Sequence, residues 1–324
     1  MRSSPASSHP TRRPAAADPP RTSTDGAGQA GPFERFNGWT RPVLVASLAA
    51  QIGIVVTDGA VRLTGSGLGC PTWPQCEPGA STPVLHDATS IHPFIEFGNR
   101  TLTGLLAVIA IAVALLVFTD HRRSTGFRVL GLTPVIGVFL QALLGGVTVL
   151  LALNPAVVGL HLLLSMALVA ASTVLLYRYD ESDARARTLV VGSVVTVSRA
   201  LAVVAAVVLA IGVVVTGSGP HGGDTEVAFR FAVDPVLIAR LHAGAVWVFL
   251  ALLIALIVLL VRGGAPARAR RAAVVLLAVT LAQGLIGYVQ YFTGLPEVLV
   301  GLHMLGAALL TTATTWTLLT LRRR

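Results

Sequence analysis

Long apolar runs, separated by short polar segments, make up nearly all of the chain after residue 38. Eight of them are long enough to cross the roughly 30 Å of hydrocarbon in a bilayer, which takes about 20 helical residues each. The predicted spans are 42–61, 97–118, 129–151, 156–177, 199–216, 237–261, 272–292 and 298–320, with the fifth extending back toward Val194. The pattern therefore predicts an all-α polytopic membrane protein with eight transmembrane helices.

Residues 1–38 differ from the rest of the chain. They are rich in Ser, Pro, Ala, Thr and Arg and contain almost no apolar run. Such a segment buries too little surface to offset its ordering entropy, so we expect a disordered tail. It also lacks the apolar stretch of a signal peptide, and the first span is therefore expected to act as an uncleaved anchor.

The charge supports a membrane location and gives an orientation. Only 12% of the residues are charged, against about 25% in a usual soluble protein. All 24 basic residues are Arg, and 20 of them fall in the tail, in alternate loops or at the C-terminus. Because positively charged loops stay in the cytoplasm, we expect a plasma-membrane protein with both termini cytoplasmic. The net charge of +9 is thus a topology signal and does not indicate nucleic acid.

The chain contains an internal repeat. Gln141 and Gln283 lie in matching contexts, and each is followed 20 residues later by a histidine, His161 or His303. Related strings also end the first and fifth spans, at 55–59 and 214–218. Since each repeat holds four spans, the two halves are predicted to be parallel four-helix bundles. We name residues 39–180 the N-terminal half and residues 181–324 the C-terminal half.

Three histidines are predicted to lie at similar depth within the bundle. His161, His242 and His303 each come about five residues into a span that runs inward from the outer face. A single such histidine would favour a structural hydrogen bond, but three at matched depth favour axial ligands of heme iron. Zinc is a weaker alternative, since no Cys or carboxylate cluster accompanies them at ligand spacing.

The second span departs from this pattern. Asn99 takes the position where the other three inward-running spans have histidine, and Glu96 and Arg100 flank it. Two interpretations of Glu96 are equally open: an i, i+4 ion pair with Arg100, or a carboxylate that handles protons beside a bound substrate.

Cys70 and Cys76, the chain's two cysteines, lie in the predicted first outer loop. Their position on the oxidising side of the membrane favours a disulfide, with two free thiols as the alternative.

These features together resemble the heme A synthase family over about residues 41–320. The resemblance rests on the strings at 64–70, 73–76, 96–100 and 140–145 and on the contexts of His161, His242 and His303. It implies oxidation of the C8 methyl of heme O, through an alcohol, to the formyl group of heme A, for use by terminal oxidases. A heme O synthase is the implied supplier of the substrate.

The resemblance also implies roles for individual residues. The C-terminal half would bind heme b through His242 and His303, and the N-terminal half would receive heme O with His161 as an axial ligand. Glu96 matches the family's catalytic carboxylate, and Cys70 and Cys76 match its outer-loop cysteine pair.

Asn99 is a departure, because many family members have histidine there. The substrate heme would then be held by His161 alone or with another residue such as His92, or the amide would orient Glu96 or a water. Loss of activity is a further alternative, made weaker by the retained Glu96, Arg100, His161 and cysteine pair.

Two other classes of function make different predictions for the sequence. A di-heme cytochrome that passes electrons from quinol predicts a histidine pair in each half, which Asn99 breaks. A transporter built on a parallel repeat has no need of matched histidines. The sequence does not identify an electron acceptor.

Overall fold

Helices account for nearly all of the regular structure in the computed structural model, which describes residues 36–84, 90–224, 226 and 229–324. Most of the predicted tail, residues 1–35, lies outside this described part. The elements are α1 (Asn37–Leu63), α2 (His92–Phe118), α3 (Thr125–Leu130), α4 (Thr133–Leu150), α5 (Pro155–Tyr179), β1 (Arg187–Thr188), α6 (Gly192–Ser218), α7 (Pro235–Arg262), α8 (Ala267–Phe292), α9 (Glu297–Thr320) and β2 (Arg322–Arg323).

All eight predicted spans are confirmed as helices long and apolar enough to cross a membrane. Several helices start earlier than their predicted spans: the first at Asn37, the seventh at Ala267, and the second and fifth as follows. The second begins at His92, with Pro93 in its first turn, where the missing N–H costs no hydrogen bond. The fifth begins at Gly192, close to the predicted Val194. The chain is thus an all-α polytopic membrane protein.

The third span consists of two helices. The short α3 is capped by Ser124, whose side chain accepts a hydrogen bond from the Phe127 amide. It ends at Leu130, and α4 begins at Thr133 with Pro134 in its first turn. Because Pro134 has no N–H to donate to the carbonyl of Leu130, a continuous helix would lose a hydrogen bond at this point.

The apolar side chains divide between a packed interior and a lipid-facing exterior. Val55 of α1, Met166 of α5 and Ala308 of α9 meet in one buried cluster, which joins the N-terminal and C-terminal halves. By contrast, Phe139 is 62% exposed and Leu285 is 66% exposed. Large apolar side chains exposed on this scale need hydrocarbon around them.

The loops sort to two ends of the bundle. The cysteine end carries Cys70 and Cys76 and the starts of α2, α5, α7 and α9. The arginine end carries the connections after α2, α5 and α7 and the C-terminal residues 322–324. The cytoplasmic location of the arginine end, the parallel relation of the two halves and their division at residue 180 stay predictions.

A network of charged side chains at the arginine end closes the connection after α5. Asp183 accepts hydrogen bonds from Arg123 Nε at 2.9 Å, from the Ser124 amide at 2.7 Å and from the Ser124 hydroxyl at 3.0 Å. Arg123 also donates to the Arg178 carbonyl at 3.0 Å. Burial alone would raise the pKa of Asp183, but the hydrogen bonds from Arg123 and Ser124 outweigh it and lower the pKa to about 2.

Replacing Asp183 with asparagine is therefore expected to destabilise the protein. At neutral pH, Asp183→Asn should lower the free energy of unfolding by about 1–3 kcal/mol, because donors that meet a carboxylate lose their charged acceptor. Since the folded-state pKa is depressed, this stabilisation is present above about pH 4 and disappears as the pH falls to about 2.

Thermal unfolding of the purified protein in detergent, measured from pH 7 to pH 2, checks this. Asp180→Asn is the matched control, because Asp180 is an exposed neighbour that pairs only loosely, at 3.4 Å, with Arg41. Equal melting temperatures for wild type and Asp183→Asn at pH 7 would show that the network contributes no stability.

Candidate functional site

A cavity of about 340 Å³ opens among α1, α2, α4 and α5 near the cysteine end. Its volume lies in the range of sites that bind small organic molecules. The structure brings Glu96, Asn99, Arg100 and His161 together on its wall. The helix starts explain this, because Asn99 and His161 each lie six residues after a proline in the first turn, Pro93 or Pro155, and hence roughly 9 Å into the bundle.

Glu96 is buried, 5% exposed, and both of its carboxylate oxygens are occupied. Oε2 accepts a hydrogen bond from the backbone amide of Cys70 at 2.6 Å. Oε1 accepts from Arg100 Nη2 at 2.5 Å and from Arg100 Nε at 3.1 Å. The ion pair considered from the sequence is therefore present, on a carboxylate that also lines the cavity.

The cysteine loop, residues 64–84, is held against the cavity by Arg100. The predicted disulfide between Cys70 and Cys76 is confirmed. Arg100 donates to the carbonyls of Cys70 at 3.0 Å and Thr72 at 3.1 Å. The next residue of this loop, Trp73, then reaches α4 and covers the backbone at Gly146, where any side chain would collide with the indole.

His161 and Asn99 meet through a third residue, Asp58. The Asn99 side-chain amide donates to Asp58 Oδ1 at 2.5 Å. The other oxygen, Oδ2, lies 3.5 Å from His161 Nε2. Asp58 is five residues before the end of α1, which puts it at about the same depth as the other two side chains.

His242 and His303 lie outside this cavity, in the C-terminal half. His242 is on α7 and His303 on α9. The structure therefore places Glu96, Asn99, Arg100 and His161 on the cavity wall, and the other two histidines outside it, in the C-terminal half.

All three histidines share one local contact. Each imidazole packs against a glycine of the preceding helix: a Cβ placed on Gly145, Gly212 or Gly287 would lie 3.4, 3.1 or 3.2 Å from the ring carbon Cε1 of His161, His242 or His303, respectively. In addition, Gln141 and Gln283 donate to the backbone carbonyls of His161 and His303, at 3.2 and 2.7 Å. The glutamines thus hydrogen-bond between helices.

These surroundings fit heme. The Nδ1 atoms of all three histidines are buried without a hydrogen-bond partner among the described residues. Histidines on facing helices at equal depth are the usual axial ligands in helical bundles. In the part of the chain that the structure describes, no group of three or more His, Cys, Asp or Glu side chains has the arrangement of a metal-ion site.

Sequence reasoning missed two residues of the cavity, Asp58 and Arg62. Arg62 donates to the carbonyls of His221 at 2.7 Å and Thr216 at 2.9 Å, so it fastens the loop after α6 over the N-terminal half. Both residues could be recognised from the sequence, because an ionisable side chain inside an apolar span costs free energy and usually has a functional role. In the sequence, Asp58 lies within the repeated string 55–59, and Arg62 is one of the few arginines outside the tail, the alternate loops and the C-terminus.

Comparison with known proteins identifies relatives. Residues 41–221 match the COX15-CtaA family model, described as cytochrome oxidase assembly protein. Three similar proteins, each named heme A synthase, come from Bacillus licheniformis, Alkalihalophilus pseudofirmus and Listeria welshimeri. They are 30%, 32% and 34% identical over 145, 149 and 146 residues, which cover 43%, 45% and 43% of this chain. The match spans just under half of each relative, namely 46%, 48% and 46%.

The disulfide can be checked directly by mass spectrometry. Trypsin cleavage after Arg62 and Arg100 releases one peptide, 63–100, that contains both Cys70 and Cys76. Without reductant, this peptide should be unreactive to alkylation and two hydrogen atoms lighter than its reduced form. The same digest after reduction is the control. Alkylation of both thiols before reduction would contradict the disulfide.

Proposed function

The chain belongs to the COX15-CtaA family of cytochrome oxidase assembly proteins, and we propose from this membership and from its cavity that it is a heme A synthase. The proposed reaction oxidises the C8 methyl of heme O, through an alcohol, to the formyl group of heme A. The observation that carries the proposal is the cavity itself, which places a histidine and a buried carboxylate, His161 and Glu96, on one wall.

His161 is the proposed axial ligand of the substrate heme. Its Nε2 lies 3.5 Å from Asp58 Oδ2 on the cavity wall, while its Nδ1 is buried. Arg100 is tied to Glu96 and to the loop, so its proposed part is to hold the wall of the site rather than to bind the substrate. Trp73 and the loop after α6 cover the cysteine end and would restrict water.

His242 and His303 are proposed to hold heme b. When bound, this heme supplies a redox centre that can accept electrons removed from the substrate. His242 on α7 and His303 on α9 both lie outside the N-terminal cavity, which leaves that cavity to the substrate. These positions support the proposed division into a substrate half and a cofactor half.

Glu96 is the proposed proton acceptor. With water as the source of the oxygen atom, oxidation of the methyl to the formyl group releases protons and electrons at the porphyrin edge, and a positioned carboxylate can take up the protons. Glu96 is engaged by the Cys70 amide and by Arg100, so a proton on its carboxylate would weaken both contacts. The proposal therefore couples the protonation of Glu96 to the conformation of the cysteine loop.

The di-heme cytochrome is the weaker alternative. It requires two imidazoles in each half, whereas in the N-terminal half the amide of Asn99 donates to a carboxylate. The proposed partners follow from the heme A synthase function: a heme O synthase supplies the substrate, and terminal oxidases receive the product. The proposed setting is the plasma membrane with both termini in the cytoplasm.

The role of Glu96 can be tested with Glu96→Gln. The variant should fold and retain heme b, because its disulfide still closes the loop and the heme b histidines lie in the other half. It should accumulate heme O or the alcohol, with heme A production lower by about 100-fold or more. The measurement is reverse-phase separation of hemes extracted from cells that also produce a heme O synthase.

Glu297→Gln is the matched control, because Glu297 lies at the same end but its side chain is 66% exposed, outside the cavity. Normal heme A production by Glu96→Gln would falsify the catalytic role and leave Glu96 as a structural partner of Arg100.

The heme b ligands can be tested by removing each imidazole. His242→Ala and His303→Ala should each lose most bound heme b and its low-spin absorption spectrum, because one axial ligand is then missing. His161→Ala should retain bound heme b and its spectrum, since the His161 ring lies in the N-terminal cavity. His121→Ala, in an exposed loop at the arginine end, is the control. Unchanged heme b content in both variants would exclude this pair.

A further inference from the structure

We propose that Asp58 is the second axial ligand of the substrate heme, opposite His161, and that Asn99 orients its carboxylate. The inference rests on the proposed function in one respect, the presence of a heme in the N-terminal cavity. Because residue 99 is asparagine and not histidine, Asp58 would supply the second iron ligand in its place.

The distances favour this arrangement. Asp58 Oδ2 lies 3.5 Å from His161 Nε2, and both side chains line the cavity. Metal bonds to imidazole nitrogen and to carboxylate oxygen are each about 2 Å long, so ligands on opposite sides of one ion are about 4 Å apart. For the two coordinating atoms alone, this requires a further separation of about half an ångström; the porphyrin ring would also have to lie between the two side chains, in the cavity that both line.

The hydrogen bonding leaves the correct atoms available. His161 Nδ1 is buried, so Nε2 is the ring nitrogen that can bind iron. On Asp58, Oδ1 accepts the amide hydrogen of Asn99 at 2.5 Å, which leaves Oδ2 directed toward His161. The opposite orientation of the Asn99 amide would place two oxygens against each other, so the contact itself fixes the donor.

Competing ligands are occupied. The His92 ring bonds through Nδ1 to the Ser66 hydroxyl at 2.9 Å, and His92 is absent from the cavity wall. Glu96 shares the cavity, but both of its oxygens already accept hydrogen bonds from Cys70 and Arg100. Asp58 is therefore the carboxylate on this wall with an oxygen that faces the candidate iron ligand.

The two halves differ in a complementary way. In the matching strings, Asp58 follows Thr57, whereas Gly217 follows Thr216. Gly217 has no room for a side chain, because a Cβ there would collide with the Phe231 ring. The half that carries both His242 and His303 thus has glycine where the half that carries His161 has a carboxylate.

The proposed ligand set also suits a substrate. A carboxylate is a poorer partner for iron than imidazole, so one imidazole and one carboxylate should bind heme less permanently than two imidazoles. An anionic ligand also neutralises the net positive charge of a ferric porphyrin, which lowers the cost of placing it in a low-dielectric bundle. The site can then release its product more readily than the C-terminal half releases heme b.

The test is a titration of the purified full-length protein with hemin, followed by optical and electron paramagnetic resonance spectra. Wild type should take up a high-spin ferric heme that is absent from His161→Ala. In Asp58→His, this species should become low-spin, because two imidazoles then face each other. Asp58→Asn and Asn99→Ala should each weaken hemin binding at this site by about tenfold or more. Asp180→Asn makes the same chemical change far from the cavity and should match wild type.

The outcomes separate this inference from the proposed function. The low-spin signal of the C-terminal half reports that each variant is folded. Hemin uptake that depends on His161 but keeps the wild-type spectrum and affinity in both Asp58 variants would overturn the ligand assignment alone. Hemin uptake that does not depend on His161 would count against the substrate site, and so against the proposed function as well.

Discussion

The ion pair between Glu96 and Arg100 is the interaction on which the cavity of the N-terminal half depends. Two opposite charges near the low-dielectric interior are stable only when they are paired and their remaining hydrogen-bonding groups are satisfied. Here the cysteine loop satisfies them, since Glu96 accepts the Cys70 amide and Arg100 donates to the carbonyls of Cys70 and Thr72. The loop in turn places Trp73 on the cavity wall. The ion pair, the position of the cysteine loop and the closure of the cavity therefore depend on one another.

The two halves use the same helical frame for different chemistry. In each, a histidine packs on a glycine of the preceding helix, as His161 does on Gly145 and His303 on Gly287. Around this common element, the C-terminal half adds a second histidine, whereas the N-terminal half adds Asp58 and Asn99. A permanent cofactor requires strong ligands, and a substrate requires a site that it can leave, so this difference supports the proposal of a cofactor in the C-terminal half and a substrate in the N-terminal half.

Hydrophobic patterning predicted the eight spans because a bilayer requires about 20 apolar residues for every crossing. Histidine spacing likewise predicted that three imidazoles lie at similar depth, since depth follows from the residue count along a helix. The break before Pro134 was missed because the apolar run continues through it.

Asp58 was missed for a different reason. Its contacts, Asn99 and His161, lie 41 and 103 residues away on other helices, and only packing brings these side chains together. The roles of Arg62 and Arg100 also depend on backbone carbonyls in folded loops, which residue identity does not reveal. The sequence could thus predict which helices carry polar groups, but not which of those groups meet.

Identification of the hemes extracted from the purified protein tests the central claim most directly. The protein is purified from membranes of cells that make heme O, and its pigments are separated by reverse-phase chromatography. A heme A synthase should yield heme b together with heme O, heme A or the alcohol between them. Heme b alone, in an amount that fills both halves, would contradict the claim and identify a di-heme cytochrome.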